Sequence, residues 1–265
     1  MKVVIFCGGL GMRMRDFSER IPKPLVPVGP RPILWHMMKY YAHFGHDDFI
    51  LCLGYGDRQI KEYFLEYKEW LSNDFVMAKG GEDVQMLNTD LDSWRITFVN
   101  TGLNSEIGER LRRVRDHLDG VGTFLCNYAD CLTDLYLPAV IDHHHASQAT
   151  ATMTVVPPTT SFHVVDADES GQVRHVGPVN TSGMWINGGY IVLDEQIFEE
   201  LRPGEDLVGG AFPRLADMGK LSCYRHTGNW IGVDTFKERE LVEDLYLNGN
   251  PFWAVWKRTC DGQPC

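Results

Sequence analysis

Lys2-Val3-Val4-Ile5-Phe6-Cys7, then Gly8-Gly9-Leu10-Gly11-Met12-Arg13, then Ile21-Pro22-Lys23-Pro24-Leu25: the reading of the chain turns on this stretch. An apolar run that stops at two glycines reads as a buried strand delivering bare backbone to a ligand. Exposed N–H groups with an arginine and a lysine close behind suit a phosphate chain. The plain alternative is a simple strand-to-helix turn. A dinucleotide loop needs G-x-G-x-x-G, with the last glycine for close helix–strand packing. Here Gly9-Leu10-Gly11 runs on into Met12, Arg13 and Met14, so that third glycine is missing. No G-x-x-x-x-G-K-[ST] sequence occurs either, which excludes a P-loop.

Working outward, strand and helix signals alternate. Strands are expected at Lys2–Cys7, Phe49–Leu53, Trp94–Val99 and Thr123–Asn127, with helices at Pro32–Phe44, Gln59–Tyr67 and Glu109–Leu118 between them. This alternation predicts an α/β fold with a mixed, mainly parallel sheet flanked by helices. The second half continues with a helix at Pro138–Ser147 and strands at Ala149–Val156, His163–Val165, Val173–Val176 and Trp185–Leu193. Helices at Glu195–Leu201 and Leu207–Met218 precede strands at Leu221–Arg225 and Asn229–Val233, and Phe236–Leu247 closes the pattern as a helix. No linker separates these parts. One domain over residues 1–265 is expected, with a first part (1–148) that carries the glycine-rich loop, a second (149–250) that would handle a second substrate, and a tail (251–265). Trp253 and Trp256 in the tail should pack on the body or on a partner.

The 265 residues are 44% hydrophobic and 23% charged, ordinary for a globular protein, with a formal net charge of -11. That acidity argues against a general nucleic-acid binder and against docking on an anionic membrane. No apolar stretch is long enough to span a bilayer. The N-terminus lacks a basic region followed by an apolar core and cleavage site, so a cytoplasmic location is expected. The seven cysteines form no CxxC pair, which disfavours structural zinc. Cys7, Cys52 and Cys126 read as small core residues. Consecutive His143-His144-His145 would point in different directions on a helix, so they read as a partly exposed helix surface rather than a metal site.

The combination is specific. Gly8-Gly9-Leu10-Gly11-Met12-Arg13-Met14, Pro22-Lys23-Pro24-Leu25, Gly108-Glu109-Arg110-Leu111, Tyr128-Ala129-Asp130, Ile186-Asn187-Gly188-Gly189 and Trp230-Ile231-Gly232-Val233-Asp234-Thr235 follow in order along the chain. So arranged, the sequence resembles the sugar-1-phosphate nucleotidyltransferases, and among them the glucose-1-phosphate cytidylyltransferases. The resemblance implies a nucleotide-diphospho-sugar transferase (Rossmann-like) fold. It also implies Mg²⁺-dependent transfer of a nucleotidyl group, CTP favoured, from a nucleoside triphosphate to a sugar 1-phosphate, with release of pyrophosphate. In such a reaction the attacking phosphate is already anionic, its second pKa being about 6, and needs no general base. The protein must align two mutually repelling anions and neutralise charge on the leaving group.

The resemblance assigns roles. Arg13 would grip the β- and γ-phosphates and Lys23 would stand beside the α-phosphate. Gly8, Gly9 and Gly11 would cradle phosphates, with Thr101, Gly102 and Gly108 around the base. Arg110, Arg112 and Arg113 read equally well as a solvated helix face. Asp130 and Asp234, each just past a predicted strand, would hold Mg²⁺ with phosphate oxygens and water. Position alone leaves them as loop or cap aspartates; Asp234, before Thr235-Phe236-Lys237, suits a cap. Asp134 is a weaker metal candidate. Asn187 and Gly188 would contact sugar hydroxyls. Two departures stand out. Met12 replaces the family's threonine, and Val173-Arg174-His175-Val176-Gly177-Pro178-Val179-Asn180 stands where the family has an E-K-P segment whose lysine binds the sugar phosphate. Arg174 or His175 would have to supply that charge. Rival readings are a nucleotide or nucleotide-sugar sensor without activity, an enzyme for a different phosphorylated acceptor, and one that rearranges a finished nucleotide sugar. A homo-oligomer is compatible with the chain.

Overall fold

The computed structural model describes residues 1–9, 21–159, 162–257, 259–260 and 263–264. Gly11, Met12 and Arg13 lie outside the described residues. In chain order the strands are β1 (Lys2–Phe6), β2 (Pro27–Val28), β3 (Arg31–Pro32), β4 (Asp48–Leu53), β5 (Phe75–Ala78), β6 (Asp83–Met86), β7 (Arg95–Asn100) and β8 (Thr123–Tyr128). There follow β9 (Cys131–Thr133), β10 (Ala151–Val156), β11 (His163–Ala167), β12 (Val173–Pro178), β13 (Ile186–Asp194), β14 (Leu221–Arg225) and β15 (Trp230–Gly232). Seven of them form one sheet in the order β14-β10-β13-β8-β1-β4-β7. The pairs β1–β4, β1–β8, β4–β7 and β10–β14 are parallel, and β13 runs antiparallel to both β8 and β10. The mixed, mainly parallel sheet is therefore present, and the β8–β13 pairing joins the two halves of the chain.

β1 is apolar from Val3 to Phe6 because both faces of the sheet are covered there. Val3 and Ile5 enter one core with Leu34, Met37 and Tyr41 from the Ile33–His43 helix. Val4 and Phe6 enter the opposite core with Leu111, Phe198 and Phe212. Cys7 is buried in the first of these cores and Cys52 and Cys126 in the second, as small core residues. A third cluster joins Val26, Val28, Leu132, Ile231 and Val242 to Trp253, so the tail packs on the body.

Several elements differ from the pattern. The expected Glu109–Leu118 helix is Ile107–Arg113 followed by a tight turn at Arg115–His117. Leu207–Met218 divides into a π-helical turn, Leu207–Ala211, and a helix, Phe212–Asp217. The β5–β6 hairpin was not legible, because its residues are exposed on both faces and show no alternation. His144 corrects the exposed-surface reading of the three histidines. It is buried, with Nδ1 2.8 Å from Thr152 Oγ1 and Nε2 3.2 Å from Asp194 Oδ1. Its neighbours His143 and His145 point elsewhere, and no group of three metal-ligating side chains occurs among the described residues. No helix among them is long and apolar enough to cross a membrane.

His36 links the tail to the core. Its Nε2 lies 2.9 Å from the Val28 carbonyl, and the Trp253 indole N–H reaches Nδ1 at 3.3 Å. Both ring nitrogens are thus satisfied in the neutral form, and burial pushes the pKa down to about 4. The unfolded chain binds this proton below about pH 6.5, whereas the folded chain does not. Stability is therefore full above pH 6.5 and falls as the pH drops toward 4, by about 1.4 kcal/mol per unit for this histidine. Urea titrations between pH 7.5 and 4.5 should show that decline, with a shallower slope in His36→Gln. An unchanged slope in the variant would remove His36 as the cause.

Candidate active site

The carboxyl ends of β1 and β8, the usual ligand edge of an open α/β sheet, lie under a cavity of about 430 Å³. Gly9, Lys23, Tyr128, Asp130, Asn187, Trp230 and Asp234 are among the residues that line it. At its centre the Lys23 ammonium lies 2.6 Å from Asp130 Oδ2 and 2.5 Å from Asp234 Oδ1. The lysine side chain is 14% exposed against 28% and 44% for the two carboxylates, so the anions face outward. Burial alone would pull the ammonium down; the paired carboxylates override it and hold Lys23 above its usual value.

Three local devices place these groups. The turn Lys23–Leu25 carries Lys23 inward, with Pro24 buried beneath it. Asp130 sits between β8 and β9, and its Oδ1 accepts the Cys131 thiol at 3.1 Å, which leaves Oδ2 for Lys23. β9 pairs antiparallel with β15, Cys131 opposite Gly232, and the Val233 N–H donates to the Asp130 carbonyl at 2.8 Å, so both aspartates stand at one end of a ribbon. Asp234 is not the helix cap. Thr235 caps the Phe236–Leu247 helix in a reciprocal pair with Glu238, and the Asp234 side chain turns to Lys23 instead.

Arg110 is the residue whose role the sequence left undecided. It is buried, correcting the solvated-face alternative, and donates to the carbonyls of Gly8 (3.0 Å), Leu53 (3.2 Å), Gly102 (2.9 Å) and Leu103 (3.2 Å) and to Thr101 Oγ1 (2.8 Å). One guanidinium thereby ties the loops after β1, β4 and β7. Arg112 and Arg113, half exposed, pair with Glu109 instead. Helical spacing did hold the signal: Ile107, Arg110, Leu111 and Val114 share one face. This packing also explains the glycines. A Cβ on Gly8 would stand 2.0 Å from Arg110 Nη1, and one on Gly54 would stand 2.9 Å from three polar atoms, Arg110 Nη1 and the Gly102 and Gly8 carbonyls.

The other candidates are distributed unevenly. Gly102 has φ +89° and abuts Arg113, and Gly108 fits the Ile107–Arg113 helix against the Glu205 carbonyl, where a Cβ would approach to 2.6 Å. Thr101, buried, donates its hydroxyl to the Leu53 carbonyl. These residues frame the cavity rather than line it. Asn187 lines it and reaches Tyr128 Oη at 3.4 Å, while the Gly188 carbonyl accepts the Trp230 indole at 2.8 Å. Asp134 is engaged by Asn229 and His226 on the far end of the β9–β15 ribbon. Arg174 stands apart on the exposed β11–β12 hairpin, 3.4 Å from Asp168. Gly11 and Arg13 lie outside the described residues.

A cavity holding one lysine and two aspartates at the carboxyl edge of such a sheet narrows the class of protein, and comparison with known proteins gives its family. The nucleotidyl transferase family model matches residues 2–242. A Bacillus subtilis protein designated "Probable glucose-1-phosphate cytidylyltransferase" is 38% identical over 97% of this chain and 100% of its own length. A Salmonella typhi glucose-1-phosphate cytidylyltransferase is 36% identical over 97% of this chain and 100% of its own length. The solved UTP-bound UGPase of Acinetobacter baumannii shares the fold, with a TM-score of 0.68 at 21% identity over 95% of each chain. The chain belongs to the nucleotidyl transferase family, as a sugar-1-phosphate nucleotidyltransferase similar to the glucose-1-phosphate cytidylyltransferases.

The Arg110 network yields a stability prediction. Lysine keeps the charge but cannot reach five acceptors, so Arg110→Lys leaves buried carbonyls unpaired and should cost about 2–4 kcal/mol in urea denaturation. A loss below about 0.5 kcal/mol would mean that the loops are held by something else.

Proposed function

We propose that the protein transfers a cytidylyl group from CTP to glucose 1-phosphate, forming CDP-glucose and pyrophosphate with Mg²⁺. The observation that carries the proposal is the Lys23–Asp130–Asp234 cluster in the cavity at the carboxyl edge of β1 and β8. The nucleotide and the sugar are taken from the full-length similarity to the cytidylyltransferases.

The donor set suits the metal. Two hard carboxylates converge on one point at which a cation, the Lys23 ammonium, is already stabilised, and phosphate oxygens would complete an oxygen shell. Asp130 and Asp234 would hold Mg²⁺, which when bound neutralises phosphate charge. The rest is done by the protein's own groups. Lys23, moving from carboxylate to phosphate, would place its positive charge beside the α-phosphorus as negative charge builds there. Arg13, by the family's pattern, would neutralise the departing pyrophosphate. Gly8, Gly9 and Gly11 would offer backbone to the phosphates, and the segment Thr101–Gly108, fixed by Arg110, would read the pyrimidine edge. Asn187 and Gly188 would meet the sugar. Arg174 would take part only if its hairpin swung toward the cavity.

Pyrophosphate release over four nucleoside triphosphates and a panel of sugar 1-phosphates tests the proposal. Release should be fastest with CTP and glucose 1-phosphate. Tight nucleotide binding without release for any pair would favour the sensor reading instead. Asp130→Asn removes a hard anion but keeps the shape; kcat should fall by about two to three orders of magnitude while the fold is retained. Activity like that of the unaltered protein would place the metal elsewhere.

A further inference from the structure

The charges lining the cavity do not balance the substrates of the proposed reaction. Among the described residues its charged lining is Lys23, Asp130 and Asp234, one cation and two anions. Lys23 is committed to the nucleotide end, and Arg174 is paired with Asp168 on an exposed hairpin. A second anion, the sugar phosphate, therefore needs another cation near Asn187.

Strand register identifies one. Asn187 of β13 stands opposite Val155 of β10, and Val155 stands opposite Arg225 at the end of β14. Residues opposite one another across paired strands project from the same face. Asn187 and Arg225 thus share the cavity face, two strand spacings or about 10 Å apart at Cα, a gap that an arginine side chain and a phosphate together span. A second observation agrees. Trp185 stands just before β13, two residues from Asn187, and the Arg225 guanidinium lies 5.3 Å from its ring centroid. Among the described residues that guanidinium has no carboxylate partner. The strand end beneath it is fixed, since the His226 N–H donates to the Val155 carbonyl at 2.9 Å and its ring is held by Asp134 and Thr133.

We infer that Arg225, resting on Trp185, binds the phosphate of the acceptor sugar 1-phosphate beside Asn187. The inference rests on the proposed reaction for the identity of the acceptor. Arginine suits the task because its planar fork meets phosphate through two parallel hydrogen bonds, and an indole face stores it at little cost until the anion arrives.

Equilibrium titration of the intact protein with glucose 1-phosphate, and separately with CTP, tests the inference, with pyrophosphate release measured alongside. Arg225→Gln should weaken glucose 1-phosphate binding 10- to 100-fold and leave CTP binding within twofold. Arg225→Lys should recover part of the loss, and Arg174→Ala should change neither. If Arg225→Gln binds glucose 1-phosphate as tightly as the unaltered protein, or weakens both ligands equally, the inference is overturned; so it is if Arg174→Ala produces the selective loss or the unaltered protein does not bind the sugar phosphate. Selective loss in a protein that releases no pyrophosphate would uphold the inference while overturning the reaction.

Discussion

A partly buried ammonium is stabilised where carboxylates reach it, and Lys23 meets that condition through two residues far away in sequence. Asp130 and Asp234 lie 107 and 211 positions from it. To bring the three within hydrogen-bonding distance the chain must complete its central sheet, form the β9–β15 ribbon and cap the Phe236–Leu247 helix with Thr235 rather than Asp234. The cluster is therefore a constraint on the whole fold as well as the proposed centre of its chemistry.

A second buried cation serves a different end. Arg110 accumulates carbonyl partners instead of carboxylates and converts three independent loops into one rigid edge. The desolvation of its charge is offset by five acceptors, so its energetics depend on all three loops being in place. The glycines at 8 and 54 make room for it. Part of the glycine richness that reads as a ligand-binding device is thus internal packing, while Gly9, among the described residues of the loop, lines the cavity.

Legibility followed pattern. The central strands of the main sheet were readable because they are buried on both faces, and the long helices because their apolar faces repeat. The β5–β6 hairpin and β9 lacked such a signal, being exposed or only three residues long. At the site, Lys23, Asp130 and Asp234 were named through family motifs; position alone would have left both aspartates as loop or cap residues. In sequence Arg110 fits two readings because arginine is an unusual core residue, although its helical spacing places it among Leu111 and Val114. Arg225 had no local signal, since its link to Asn187 runs across two strand pairings.

The measurement closest to the central claim is the affinity of the protein–CTP complex for Mn²⁺, read by electron paramagnetic resonance in the unaltered protein and in Asp234→Asn. If the outward-facing carboxylates of the Lys23 cluster form the metal site, the variant should bind Mn²⁺ at least tenfold more weakly while keeping its fold. Equal Mn²⁺ affinity in the two proteins would contradict the account.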